Sequence, residues 1–109
     1  MQKPMKYNIN YSPKVLQDLD EICDYISKEL SNPDAAELVV TSILDAVDVL
    51  GEFPESGAPL EPHINLDSPY RFVTTGNYIA FYRFEENIVY VDRVLYQKEI
   101  MQSYFRYSI

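Results

Sequence analysis

One arginine falls on each of three β-like segments in the second half of the chain: Arg71, Arg83 and Arg93, with Tyr96 ending the third. Guanidinium groups converging from neighbouring strands can grip a phosphate or carboxylate bidentately. A tyrosine at a strand end can donate a proton or stack on a base. Simple alternation puts all three arginines on one sheet face, together with Val73, Ile79, Phe81, Val89, Val91 and Leu95. The structural reading is that each arginine pairs with a nearby acid such as Glu85, Glu86 or Asp92, as surface arginines commonly do. Arg93 lies in an apolar strand and has the greatest need of a specific partner. Tyr70, Tyr78, Tyr82 and Tyr90 read as core tyrosines with hydroxyls at the rim, which leaves Tyr96, beside Gln97 and Lys98, as the free one.

Little else in the chain is reactive. It has no glycine-rich phosphate loop and no nucleophile elbow. His63 is the single histidine, so a multi-histidine metal site is excluded, and no local signature supports a Ser-His-Asp triad. Cys23 sits on an apolar helix face and reads as a small buried hydrophobe. One cysteine allows no internal disulfide, which suits a reducing cytosol. The expectation is therefore a cytoplasmic protein with no cofactor, no metal and no small-molecule substrate.

The elements that must position these residues follow from periodicity. Lys6 to Tyr11 alternates as a strand, with Met5, Tyr7, Ile9 and Tyr11 on the inner face. Ser12-Pro13 and Asn32-Pro33 each pair an N-cap with proline in the first helical position. They predict one helix from Pro13 to about Leu30 and a second from Pro33 to Leu50, with Gly51 as its C-terminal stop. Val15, Leu19, Ile22 and Ile26 form the buried stripe of the first, with Leu16 and Cys23 beside it, while Asp18, Asp20, Glu21 and Asp24 take the other side. Ala36, Val39, Val40, Ile43, Val47 and Leu50 form the buried face of the second. The short link implies an antiparallel helical hairpin. After a proline-rich connector, Tyr70–Thr75, Tyr78–Phe84 and Ile88–Tyr96 read as an antiparallel meander joined by Gly76-Asn77 and by Glu85-Glu86-Asn87. Met101, Tyr104 and Phe105 predict a short last helix. The fold class is α+β: an N-terminal strand, a helical hairpin, and a three-strand meander completing one small sheet, all in a single domain spanning 1–109.

The formal net charge is −8, with 11 acids against 4 lysines in residues 1–55 and 6 acids against 5 bases in residues 56–109. A chain that grips nucleic acid usually carries a positive field. Here the long-range field opposes RNA approach. No apolar run is long enough to span a membrane, and the N-terminus lacks the hydrophobic stretch of a signal peptide.

The order of elements, with "NPDAAELVVTSILDAVDVLGEFPESG", "YRFVTTGNYIAFYRF" and "IVYVDRVLYQKE", resembles the RelE/ParE family of type II toxin–antitoxin toxins over about residues 6–105. The resemblance implies a growth inhibitor of the plasmid-stabilisation type, partnered by a cognate antitoxin that wraps sheet and hairpin. In the RelE-like branch the target is ribosome-bound mRNA, cleaved without a metal. In the ParE-like branch the target is DNA gyrase. Arg71 resembles a basic, RNA-contacting position of the RelE branch, and Arg93 and Tyr96 fall in a segment similar to the family's Arg-Val-Leu-His. With Arg83, these form the catalytic set if the chain is a nuclease. However, Asn77 to Tyr82 resembles the family's Gly-Tyr-Arg-Leu-Val-Tyr with Ile79 in place of the arginine, and the usual basic pair becomes Lys98-Glu99. Family toxins are generally basic, and this chain is acidic. The ParE-like branch is favoured; a non-toxic interaction module is the third reading.

Overall fold

Both helices begin where a polar residue precedes proline. The computed structural model of the protein describes residues 6–60 and 69–100. In it β1 (Asn8–Tyr11) leads into α1 (Pro13–Glu29) and α2 (Pro33–Leu50). A 3-10 turn (Pro54–Ser56) and the two-residue β2 (Ala58–Pro59) follow. The chain then forms β3 (Arg71–Thr75), β4 (Tyr78–Glu85) and β5 (Ile88–Tyr96), and residues 97–100 are helical. His63 and the rest of the expected last helix lie outside the described residues. Ser12 Oγ accepts from Val15 N–H at 3.1 Å and Asn32 Oδ1 from Ala35 N–H at 3.1 Å, so each cap satisfies an orphan donor of the first turn. Between the helices Ser31 takes φ 49°, a left-handed residue that reverses the chain within three residues.

Gly51 does close α2, but not in the left-handed conformation its position suggested: its φ is −64°. The reason for glycine is space. Its carbonyl accepts Tyr7 N–H at 2.7 Å, and a Cβ would lie 3.2 Å from Asp48 O and 3.3 Å from Tyr7 O. A bare Cα lets β1 enter the sheet across the end of α2.

The sheet order is β1-β5-β4-β3-β2. β3, β4 and β5 form the expected antiparallel meander, and β1 joins β5 in parallel with Ile9 opposite Val89. The two faces differ from the simple alternation. The loops are two residues long, pairing Thr75 with Tyr78 and Glu85 with Ile88. Each therefore exchanges odd and even positions between the strands it joins. A bulge then shifts register, so that Phe81 faces Arg93 while Tyr82 faces Val91, and Asp92 is the extra residue. The helix-facing side thus holds Val73, Ala80, Tyr82, Val89, Val91 and Val94.

Against that side pack Val15 from α1 and Ile43, Val47 and Leu50 from α2, two layers around one core. Tyr82 is the largest wholly buried side chain among the described residues. Its hydroxyl donates to Pro54 O at 2.6 Å and accepts from Gly57 N–H at 3.0 Å, tying the Phe-Pro-x-x-Gly turn to the sheet. A Cβ on Gly57 would lie 2.8 Å from Phe72 O and 2.7 Å from Tyr82 Cε1. Gly57→Ala should therefore lower unfolding free energy by about 1–3 kcal/mol through overpacking, read from the urea midpoint.

Candidate functional site

Arg71 pairs across strands with Tyr82, which puts it on the helix-facing side of the sheet. There its Nη1 donates to Gly57 O at 2.7 Å and Glu55 O at 3.3 Å. Its guanidinium lies 6.0 Å from the Phe84 ring centroid. Together with Tyr82 it clamps the carbonyls of Pro54, Glu55 and Gly57.

Arg83 neighbours Tyr82 along β4 and so projects from the opposite, outer face. It stacks on Tyr90, directly across on β5, at 4.2 Å from the ring centroid. Glu85 Oε2 lies 3.6 Å and Asp92 Oδ2 3.9 Å away. Asp92 Oδ2 is closed off from solvent and accepts no hydrogen bond among the described residues, where the Arg83 charge compensates it.

Arg93 has the buried partner its apolar strand called for, and the partner is on α1. Its Nε and Nη2 donate to Asp18 Oδ2 at 2.8 Å and Oδ1 at 3.0 Å. Val94 N–H, just past the bulge, donates to Oδ2 at 3.0 Å. Asp18 is 6% exposed, so its placement with the solvated acids of α1 is corrected. The signal was its spacing: Asp18 follows Val15 by three and precedes Ile22 by four, on the buried stripe. The hydrogen bond from Arg93 to Asp18 holds the guanidinium pKa above its ordinary value, against the opposing effect of burial.

Arg71, Arg83 and Arg93 are therefore not brought together. Tyr96 stands apart at the end of β5, 36% exposed, its ring edge-on to Tyr78 at 5.6 Å. Burial first, then the nearby Tyr96, Tyr25 and Glu99, push the Tyr78 phenol up. Burial also raises Tyr82, against the Gly57 hydrogen bond and the Arg71 charge, and it raises Tyr11 with Asp48 adding to the effect. Among the described residues no three potential metal ligands cluster, and no helix is long and apolar enough to cross a membrane.

What alternation along single helices missed is the outer side of the hairpin. Leu16, Leu19, Cys23 and Val40 line an apolar groove between α1 and α2, with Asp20 and Glu37 beside them. Leu16 is 58% exposed, and Cys23 is only half-buried. Val40 turns to this groove, whereas Val39 packs against the core.

The sequence profile described as "ParE toxin of type II toxin-antitoxin system, parDE" matches residues 9–101. The chain belongs to the ParE toxin family. A relative from Sinorhizobium fredii, named "Putative toxin Y4kP", is 49% identical over 51 residues, covering 47% of this chain and 51% of that one. The ParE-family chain thus spans about half the length of this curated relative. Among solved structures, a chain of the chromosomal ParDE system from P. aeruginosa superposes with TM-score 0.69 at 22% identity, covering 85% of this chain and 98% of its own. A chain of the RelBE2 toxin–antitoxin complex from Mycobacterium tuberculosis gives 0.57 at 19% identity, covering 84% and 98%. These two show the fold.

Two predictions follow from this geometry. Asp18→Ala in this ParE-family chain strands both Arg93 and Val94 N–H and should cost about 2–4 kcal/mol. Arg93→Ala leaves the 6%-exposed Asp18 carboxylate with Val94 N–H as its remaining donor and should cost a comparable amount near neutral pH. A double-mutant cycle in urea should show positive coupling, with Asp18→Asn between the extremes. The raised tyrosines set the alkaline limit: an unfolded chain ionises first, so stability is full below pH 10 and falls as pH climbs through the folded pKa values. Tyr82→Phe should flatten part of that loss in urea melts taken from neutral pH to about pH 11.

Proposed function

We propose that this chain is the toxin of a type II toxin–antitoxin module that arrests growth by binding a macromolecular target, with DNA gyrase as the first candidate. The observation that supports binding over nuclease chemistry is the commitment of the arginines. Arg71 holds backbone carbonyls, Arg93 holds a buried carboxylate, and Arg83 compensates Asp92 on the other face. A phosphate in flight needs several donors aimed at one point, and these three are spread over two faces and an edge. Ile79 stands where the nuclease resemblance would have arginine, and it is buried between Thr74 and Leu95. The acidic total further opposes approach to mRNA.

A cognate antitoxin holds the toxin inactive by covering apolar surface that the fold leaves open. Exposed Leu16, Leu38, Val49 and Phe53 supply such surface on and beside the hairpin. On induction of the chain alone in a bacterial host, DNA synthesis should fall before protein synthesis, with filamentous cells. Co-expression with the product of the adjacent gene should restore growth and yield a soluble complex. Early loss of protein synthesis with defined mRNA cuts that vanish in Arg83→Ala would replace this reading with the ribosome-dependent nuclease. Normal growth with soluble, folded chain would make it a non-toxic interaction module.

A further inference from the structure

The groove on the outer side of α1 and α2 has a charge that selects its occupant. Its lining runs from Leu16 to Ser27 on α1, which at helical rise is about 17 Å, or three turns. Apolar side chains form its floor, and the charged residues of its lining are the carboxylates Asp20 and Glu37. The helices that frame it, residues 13–50, carry nine acids against two lysines. One of those lysines, Lys28, is already paired with Asp24 at 3.2 Å.

We infer that this groove takes an amphipathic helix of the partner protein whose apolar stripe is flanked by lysines and arginines. This rests on the reading of the chain as a toxin held by a partner, and it names the chemistry of the partner segment. The apolar floor asks for i, i+3, i+4, i+7 anchors, the pattern by which a helix lies in a groove. The carboxylates ask for cations on the flanks of that stripe, and they raise the encounter rate at low salt. A second copy of this chain fits poorly, because it would bring its own acidic hairpin against this one. The chain's second half is net −1, and residues 101–109 carry a single cation, Arg106, against the two carboxylates of the groove. Nucleic acid is repelled by the same field. The charge pairing is the reverse of a basic toxin held by an acidic antitoxin.

The test uses the full chain and two synthetic helical peptides with the same leucine stripe, one flanked by lysines and one by glutamates. Fluorescence anisotropy should show the lysine peptide binding at least tenfold tighter, with the advantage shrinking as salt rises. The double variant Asp20→Lys, Glu37→Lys changes exposed groove residues and should keep its fold by circular dichroism. It should weaken the lysine peptide about tenfold and bring the glutamate peptide up. Leu16→Asp should weaken both. Equal binding of the two peptides, binding of neither by folded chain, or lysine-peptide binding indifferent to the double variant would each overturn the inference. Binding that emerges only after removal of residues 101–109 would make that segment the occupant, and a dimer dispersed by Leu16→Asp would make it a second copy; either overturns the inference. A chain neutralised by its neighbour's product while ignoring the lysine peptide would sink this inference and leave the toxin reading standing.

Discussion

A β-strand has two edges to satisfy, and β5 satisfies its outer one with a single continuous stretch of chain. From Ile88 to Val91 the edge pairs in parallel with β1. Where β1 ends, Ser12 N–H donates to Val91 O and Ser12 Oγ donates to Asp92 O. One and a half turns later Asp18 accepts Val94 N–H. Ser12 therefore has two duties, capping α1 and continuing the sheet. The angle at which α1 leaves the sheet follows, because both ends of its first two turns are tied to the same strand. Burying the hairpin's apolar stripe, and with it most of the core, depends on that angle.

The polar groups divide the labour in a way that bears on function. Cations that looked available in the chain are spent on backbone carbonyls, a buried carboxylate and an aromatic stack. The clamp by Arg71 and Tyr82 ties the turn at residues 54–57, whose Pro54 is buried, to the sheet. What stays free of internal duty is mostly carboxylate and apolar, and it is concentrated on the helices. The protein thus presents helices outward and uses its sheet as a scaffold.

Much of this could be read from the chain. The Ser12-Pro13 and Asn32-Pro33 starts, the hairpin and the Gly76-Asn77 turn carry short-range signals, and each lies where the sequence predicts. The faces of the sheet do not follow from simple alternation, because side-chain parity is a cumulative property. Each two-residue loop exchanges odd for even, and the bulge at Asp92 exchanges them again. One unrecognised insertion misplaces every residue beyond it. β2 was hidden for a different reason: two residues, one of them proline, have no period. Asp18 is legible from its spacing on the buried stripe, although its residue type points to the solvated face. The groove could not be seen from either helix separately, since it exists only where the two meet.

The parallel pairing of β1 with β5 also sets a timetable. Ile9 and Val89 are neighbours in space and eighty residues apart along the chain. At ordinary rates of synthesis, about 5–20 residues per second, roughly 4–16 s separate the making of one from the making of the other. During that interval β1 and the hairpin have no sheet to lie on, and the core side of both helices stays uncovered. The meander, by contrast, pairs only with its own near neighbours and can close as soon as it is made. Completion therefore comes late and all at once, when β5 slots between β4 and the waiting β1. A nascent chain of this kind cannot complete its sheet or cover its core until β5 has been translated.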